Sequence, residues 1–220
     1  MKQGHFALLF CILFAVCFLM LSLEQLRYDT VLEEKQRVEQ CLLTAVENTA
    51  REFSKVLYAP TEKKQQVLEQ EFFNYLYAAF GVLEEREEQE RLRMHIPMLV
   101  LVEEDGIQFF HMKEVMQEGT AELQHQWTSK ESFCFDENMQ TKEKKVVIVE
   151  TLEKKAAEII TEHNYIAKQY GWSYTFTVPR FLQNTAKKTE FPMLFVVFQG
   201  WPLIASGEVR YENCLDAGVY

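Results

Sequence analysis

Ile96-Pro97-Met98-Leu99-Val100-Leu101-Val102, the triplet Glu104-Asp105-Gly106 and the run Ile107-Gln108-Phe109-Phe110-His111-Met112 are the stretch on which the fold turns. Seven uncharged residues rich in Val and Leu read as a buried strand, because a strand wet on one face would alternate polar and apolar side chains. Asp-Gly before a second apolar run is the signature of a β-hairpin. Asp105 also invites an acid-catalytic or calcium reading, but a tight turn calls for Asp before Gly on backbone grounds alone.

Downstream of this hairpin, residues 118–141 are polar and read as a long loop tethered by Trp127, Phe133 and Phe135. Ile148, Leu152, Ala156, Ile159, His163, Ile166 and Tyr170 then recur at helical spacing and specify a long helix capped by Gly171. Val146 to Val149 also suits the start of a strand. Trp172 to Val178 alternates as a half-buried strand stopped by Pro179, and Phe191 to Phe198 reads as a fully buried one. Gly200-Trp201-Pro202 reads as a turn into a short last segment, Glu208 to Tyr211.

Upstream, Val67, Leu68, Phe72, Tyr75, Leu76, Ala79 and Phe80 mark the buried side of a helix that Thr61 is placed to cap and Gly81 to kink. The charged run Glu84 to Arg91 reads as a solvated helical face. Before Pro60, the positions Val31, Val38, Leu42, Ala45, Val46, Phe53 and Val56 form an apolar stripe between Glu24 and Ala59. The stripe either docks on its own domain or, through residues 31–57, pairs with a second copy as a coiled coil; Lys35, Asn48 and Thr49 interrupt the seam and favour docking.

The first residues change the physical class of the chain. Phe6 to Leu23 is an uncharged run, with Phe6, Leu9, Ile12, Phe14, Phe18, Leu21 and Leu23 as its bulk. At about 1.5 Å per residue, roughly 18 residues reach about 27 Å, close to the hydrocarbon thickness of a bilayer. A cleaved signal peptide has a shorter apolar core and a small-x-small exit, whereas this run leaves through Leu19-Met20-Leu21-Ser22-Leu23. Lys2-Gln3-Gly4 resembles a type IV prepilin leader, but Leu9 stands where pilins carry Glu. The expectation is an uncleaved signal-anchor: residues 1–5 a cytoplasmic tail, 6–23 the span, 24–59 an amphipathic helix and 60–220 an extracytoplasmic domain. Lys2 against Arg27, Lys35 and Arg37 does not choose the orientation by charge. The short leading tail places the domain outside the cytoplasm.

The remaining composition sets limits. A net charge of −10 opposes nucleic-acid binding, and 17 Phe with 9 Tyr argue for a folded domain. Of five cysteines, Cys11 and Cys17 lie in the apolar run, and Cys134 with Cys214 is the pair placed to form a disulfide in an oxidising compartment. No CxxC or histidine cluster has metal-ligand spacing, and no cofactor is implied. His95, His111 and His125 lack the i, i+4 spacing of a helical metal site. His163, beside Asn164, reads as a core histidine bonded to backbone, with proton transfer as its functional alternative. No Gly-rich phosphate loop or nucleophile elbow appears.

Residues 160–171 with His163-Asn164, the segment Trp172 to Pro179, Phe198-Gln199-Gly200-Trp201-Pro202 and Tyr211-Glu212-Asn213 together resemble an uncharacterised group of membrane-anchored Gram-positive bacterial proteins. The earlier Phe72-Phe73 and Ile96 to Ile107 segments fit the same pattern. That group is associated with gene clusters for Tad-like pili, type II secretion-like machinery or conjugative elements. The resemblance names no chemistry and transfers no functional residue. The expected architecture is α+β: a transmembrane helix running into an amphipathic helix, then a small, mostly antiparallel sheet packed with two or three helices. The expected role is a non-enzymatic accessory subunit bound to the bilayer and to other membrane or secretion-apparatus proteins. An extracytoplasmic ligand-binding or sensor domain is the second reading, and a hydrolase the third.

Overall fold

The computed structural model describes residues 2–117, 120–135, 139–181, 191–204 and 209–218. One unbroken helix, α1 (Lys2–Ser54), carries both the apolar run and the amphipathic stripe. Helix α2 (Thr61–Phe80) returns antiparallel to it, α3 (Arg86–Met94) follows, and α4 (Thr141–Gln169) comes later. The strands are β1 (Met98–Val102), β2 (Gly106–Gln117), β3 (Thr120–Trp127), β4 (Glu131–Ser132), β5 (Met193–Pro202) and β6 (Arg210–Gly218). They form one antiparallel sheet in the order β3-β2-β1-β5-β6, with β4 also paired to β2. The α+β class is therefore the observed one.

All five residues of β1 are buried, as expected for a central strand covered on both faces. Leu99 and Leu101 join Phe110, Leu194, Val196 and Phe198 on the face covered by α1, α2 and Leu92 of α3. Met98, Val100 and Val102 face the other way, against Ile148, Leu152, Ala156, Ile159 and Ile160 of α4. On the first face, Val38, Leu42, Ala45, Val46 and Phe53 of α1 are buried in the chain's own core, so the stripe docks on its own domain. Thr49, a seam-breaker in the sequence, is fully buried and donates its hydroxyl to the Ala45 carbonyl at 2.7 Å, which removes the cost of burying it.

The structure differs from the sequence-based expectations at several places, each for a local reason. Gly81 does not kink a helix; at φ 75° it ends α2, with backbone bonds back to Tyr77 and Ala78. Pro60 holds the cap position of α2 and Thr61 is its first helical residue, without a capping side chain. Gly106 is needed for space: a Cβ there would stand 2.6 Å from the Glu131 carbonyl oxygen, where β4 crosses. Asp105 is a turn residue paired with Lys130 at 2.5 Å. The supposed loop 118–141 contains β3 and β4, and Val146 to Val149 lie inside α4, which starts with a reciprocal cap between Gln140 and Glu143. Gly200-Trp201-Pro202 belongs to β5, with a bulge between Gln199 and Trp201, and β6 runs on well past Tyr211.

Candidate functional site

Among the described residues, the apolar half of α1 contributes no side chain to the core. Phe6 is 82% exposed and Phe18 65%, and Ile12, Phe14, Leu21 and Leu23 are likewise exposed; the side chain of Leu9 lies outside the described residues. The helix contains an 18-residue window of mean hydropathy 1.8, none of it buried in the protein. It is long and apolar enough to cross a membrane. The same helix is then clamped to the domain by the buried stripe, so no hinge intervenes between the two parts.

On the α4 face, residues 172–178 do not form the expected strand. They run extended, and two side-chain amides take the place of strand partners. Phe176 donates its N–H to Asn164 Oδ1 at 2.7 Å, and its carbonyl accepts from Asn164 Nδ2 at 2.8 Å. Thr177 donates to Gln199 Oε1 at 2.8 Å and accepts from Gln199 Nε2 at 2.9 Å. Adjacent residues of an extended chain turn their backbone polar groups to opposite sides, which explains why α4 serves one and β5 the other. The segment passes directly over Gly200, where a Cβ would meet the Tyr174 ring at 2.5 Å. Replacing Asn164 by Leu leaves the Phe176 N–H and carbonyl unpaired and should cost about 2 kcal/mol or more, while Asn164→Asp, which keeps the acceptor, should cost roughly half as much. Thermal unfolding of the two variants checks the ranking.

His163 is buried against Trp172 and Phe176, the latter ring edge-on at 4.4 Å. The backbone bond expected for it is not formed: neither ring nitrogen has a partner among the described residues, and the backbone bonds go to Asn164 instead. Burial drives its pKa down to about 3, with smaller contributions from His125 and His111, so the ring is neutral at physiological pH. That neutral ring faces the aromatic carbon of Trp172 and Phe176, and among the described residues no acid or base is aligned with it. Cys134 is exposed, Cys214 lies half-buried beside the α4-side core, and no disulfide joins them in this structure.

Among the described residues, several open clefts carry polar groups. One, of about 630 Å³, runs between α4 and the β2–β3 edge and is lined by His111, Lys113, Lys130, Lys155, Glu158 and Glu162 among others. Another, of about 800 Å³, lies between α1 and the end of β5, with Arg27, Arg37 and Arg91 on its walls and Trp201, Leu203 and Ile204 as its apolar lining. Sequence reasoning missed the second cleft, because its arginines come from separate helices and no single window contains them. Among the described residues, no group of three or more His, Cys, Asp or Glu side chains converges as a metal site.

Fold and site together define a long helix, apolar and bare at one end, built into an α+β domain at the other. No protein-family profile, curated protein or solved structure matches the chain.

Proposed function

We propose that this chain is a single-pass membrane protein that serves as a non-enzymatic accessory subunit of a surface assembly such as a secretion, pilus or conjugation apparatus. Its domain lies outside the cytoplasm and binds partner proteins. The observation that carries the reading is α1 itself: an exposed apolar segment continuing without a break into a stripe buried in the domain core. Such a helix transmits position and orientation from bilayer to domain, which suits a component held in a fixed place. The resemblance to membrane-anchored proteins of pilus and secretion gene clusters supports the same role.

A surface for partners is available on β2 and β3. Beyond the residues that β1 covers, Lys113 to Gln117 pair with Thr120 to Gln124 as a two-stranded ribbon, and Met116 on it is 69% exposed. An exposed edge of this kind accepts another strand through its backbone groups. Crosslinking at native expression followed by detergent extraction tests the proposal. The full chain should resist carbonate extraction and copurify with a second membrane or secretion component. Recovery of an isolated monomer counts against the assembly role, and recovery in the carbonate supernatant counts against the anchor.

The second reading, a sensor domain, draws on the cleft beside α4, whose mixed Lys, Glu and His lining is suited to a small polar ligand. A ligand that raises the melting temperature of the wild type, and fails to do so for Lys113→Ala, would favour it.

A further inference from the structure

The cleft of about 630 Å³ between α4 and the β2–β3 edge has walls set by two periodicities. Phe109, His111 and Lys113 alternate along β2 and so share its α4 face, successive Cα atoms of the set standing about 7 Å apart. Glu158, Ile159 and Glu162 share the opposing face of α4 at helical spacing. Lys155, on the same helix, reaches Glu131 of β4 at 3.4 Å and ties the two walls together.

Among the described residues, His111, Lys113 and Glu162 each bring to this cleft a group without a partner. His111 is 2% exposed, and its Nδ1 must donate to the Met112 carbonyl, which can only accept. With the proton on Nδ1 and burial keeping the ring neutral, Nε2 is a lone-pair acceptor, and nothing in the protein donates to it. It is not sealed in the core as the His163 nitrogens are, but opens on the cleft. The side chains of Lys113 and Glu162 make neither an ion pair nor a hydrogen bond. The remaining charges of the lining are satisfied: Lys130 pairs with Glu103 and Asp105, and Lys155 with Glu131 and Glu158.

An ammonium and a carboxylate that line one cleft without reaching each other leave a gap suited to a molecule bearing both charges. A purely anionic molecule would meet Glu162 and a purely cationic one Lys113, whereas a zwitterion satisfies both. Lys113 acts electrostatically on the His111 ring, which places its ammonium near that side chain. A carboxylate and an ammonium carried on one carbon therefore fit Lys113 and His111 together.

We propose that this cleft binds a free α-amino acid, whose carboxylate is held by Lys113 and whose ammonium donates to His111 Nε2 and Glu162. The inference rests on the sensor reading given above and names its ligand class.

Thermal unfolding of the full chain in detergent, with an equimolar mixture of the common L-amino acids, tests this. Two control mixtures contain the same compounds without the amino group, or without the carboxylate. The amino acids should raise the melting temperature by about 3 to 6 °C when the active one is at roughly ten times its dissociation constant, and neither control should. That amino acid, tested alone, should bind about tenfold more weakly or worse to Lys113→Met and to Glu162→Gln, as expected when a charge-assisted contact is lost. The two variants should also differ in kind. Lys113→Met should lose discrimination against the decarboxylated amine, and Glu162→Gln against the deaminated acid. Glu153→Gln and Lys154→Met, exposed charges of α4 that do not line the cleft, should bind as the wild type does. Equal protection by the acids or by the amines overturns the zwitterion and leaves the sensor reading standing. Protection by none of the three mixtures sinks the sensor reading and the proposal together. Undiminished affinity in both cleft variants puts the bound amino acid elsewhere and overturns the proposal as well.

Discussion

Acidification from pH 7 to about 4.5 is expected to strip most of the stability from the α+β domain, with His163 and His111 as the leading causes. Both rings are buried, at 1% and 2% exposure. Burial lowers His163 to a pKa of about 3, reinforced by His125 and His111, and lowers His111 to about 4, with Lys113 adding to the effect and a bond to the Met112 carbonyl opposing it. A folded pKa below the unfolded value of about 6.5 means that the unfolded chain binds more protons below pH 6.5. The stability is therefore complete above about 6.5 and declines as pH falls toward 4 for His111 and toward 3 for His163. The loss is about 1.4 kcal/mol per pH unit for each ring, so two rings over two units lose about 5 kcal/mol. That equals the lower end of the whole stability of a typical domain. His95 and His125, also held near pKa 4 by burial first of all, act in the same window. Near-UV circular dichroism of unfolding in detergent at pH 7, 5.5 and 4.5 measures the effect. His163→Leu should flatten the acid slope by about one proton and cost little at pH 7, because it removes two unpaired buried nitrogens. Superimposable acid profiles for wild type and His163→Leu would refute the assignment.

Phe53→Ala is expected to produce the largest loss of any single truncation in α1, about 3 to 5 kcal/mol. The ring is fully buried at the last turn of α1, in the same cluster as Phe72, Leu76 and Phe110. Its removal opens a cavity where the helix end, α2 and the sheet meet, and neighbouring backbone cannot collapse into it without disturbing strands paired on both sides. Tyr58→Ala, five residues on and fully exposed, should change stability by less than about 0.5 kcal/mol. Thermal unfolding of the two variants in detergent decides the matter. A loss below about 1 kcal/mol for Phe53→Ala would mean that the far end of α1 is not clamped to the domain, and the rigid connection from bilayer to domain would go with it.

Much of the architecture could be read before any coordinates. The central strand and its hairpin, the α1 stripe and the long fourth helix each declare themselves through a hydrophobic period repeated within one segment. β3 escaped because its alternation of Ala121, Leu123, His125 and Trp127 against Thr120, Glu122, Gln124 and Gln126 is diluted by polar residues on both faces. β6 escaped for the same reason, being an edge strand with Glu212, Asn213 and Asp216 among its residues. The opposite error was made at Trp172 to Val178, whose alternation is real but whose backbone is bound by Asn164 and Gln199 rather than by a neighbouring strand.

The amino-acid sequence by itself determined the helices, the central hairpin and the buried strand that begins near Met193, and that the first helix is apolar enough to enter lipid, because periodicity and transfer free energy are properties of neighbours along the chain. Only the tertiary structure decided that the α1 stripe covers its own sheet, that two amides from α4 and β5 hold one extended segment, and that Arg27 and Arg91 share a cleft. Those outcomes depend on which distant faces bury one another, and no local window of residues contains that information.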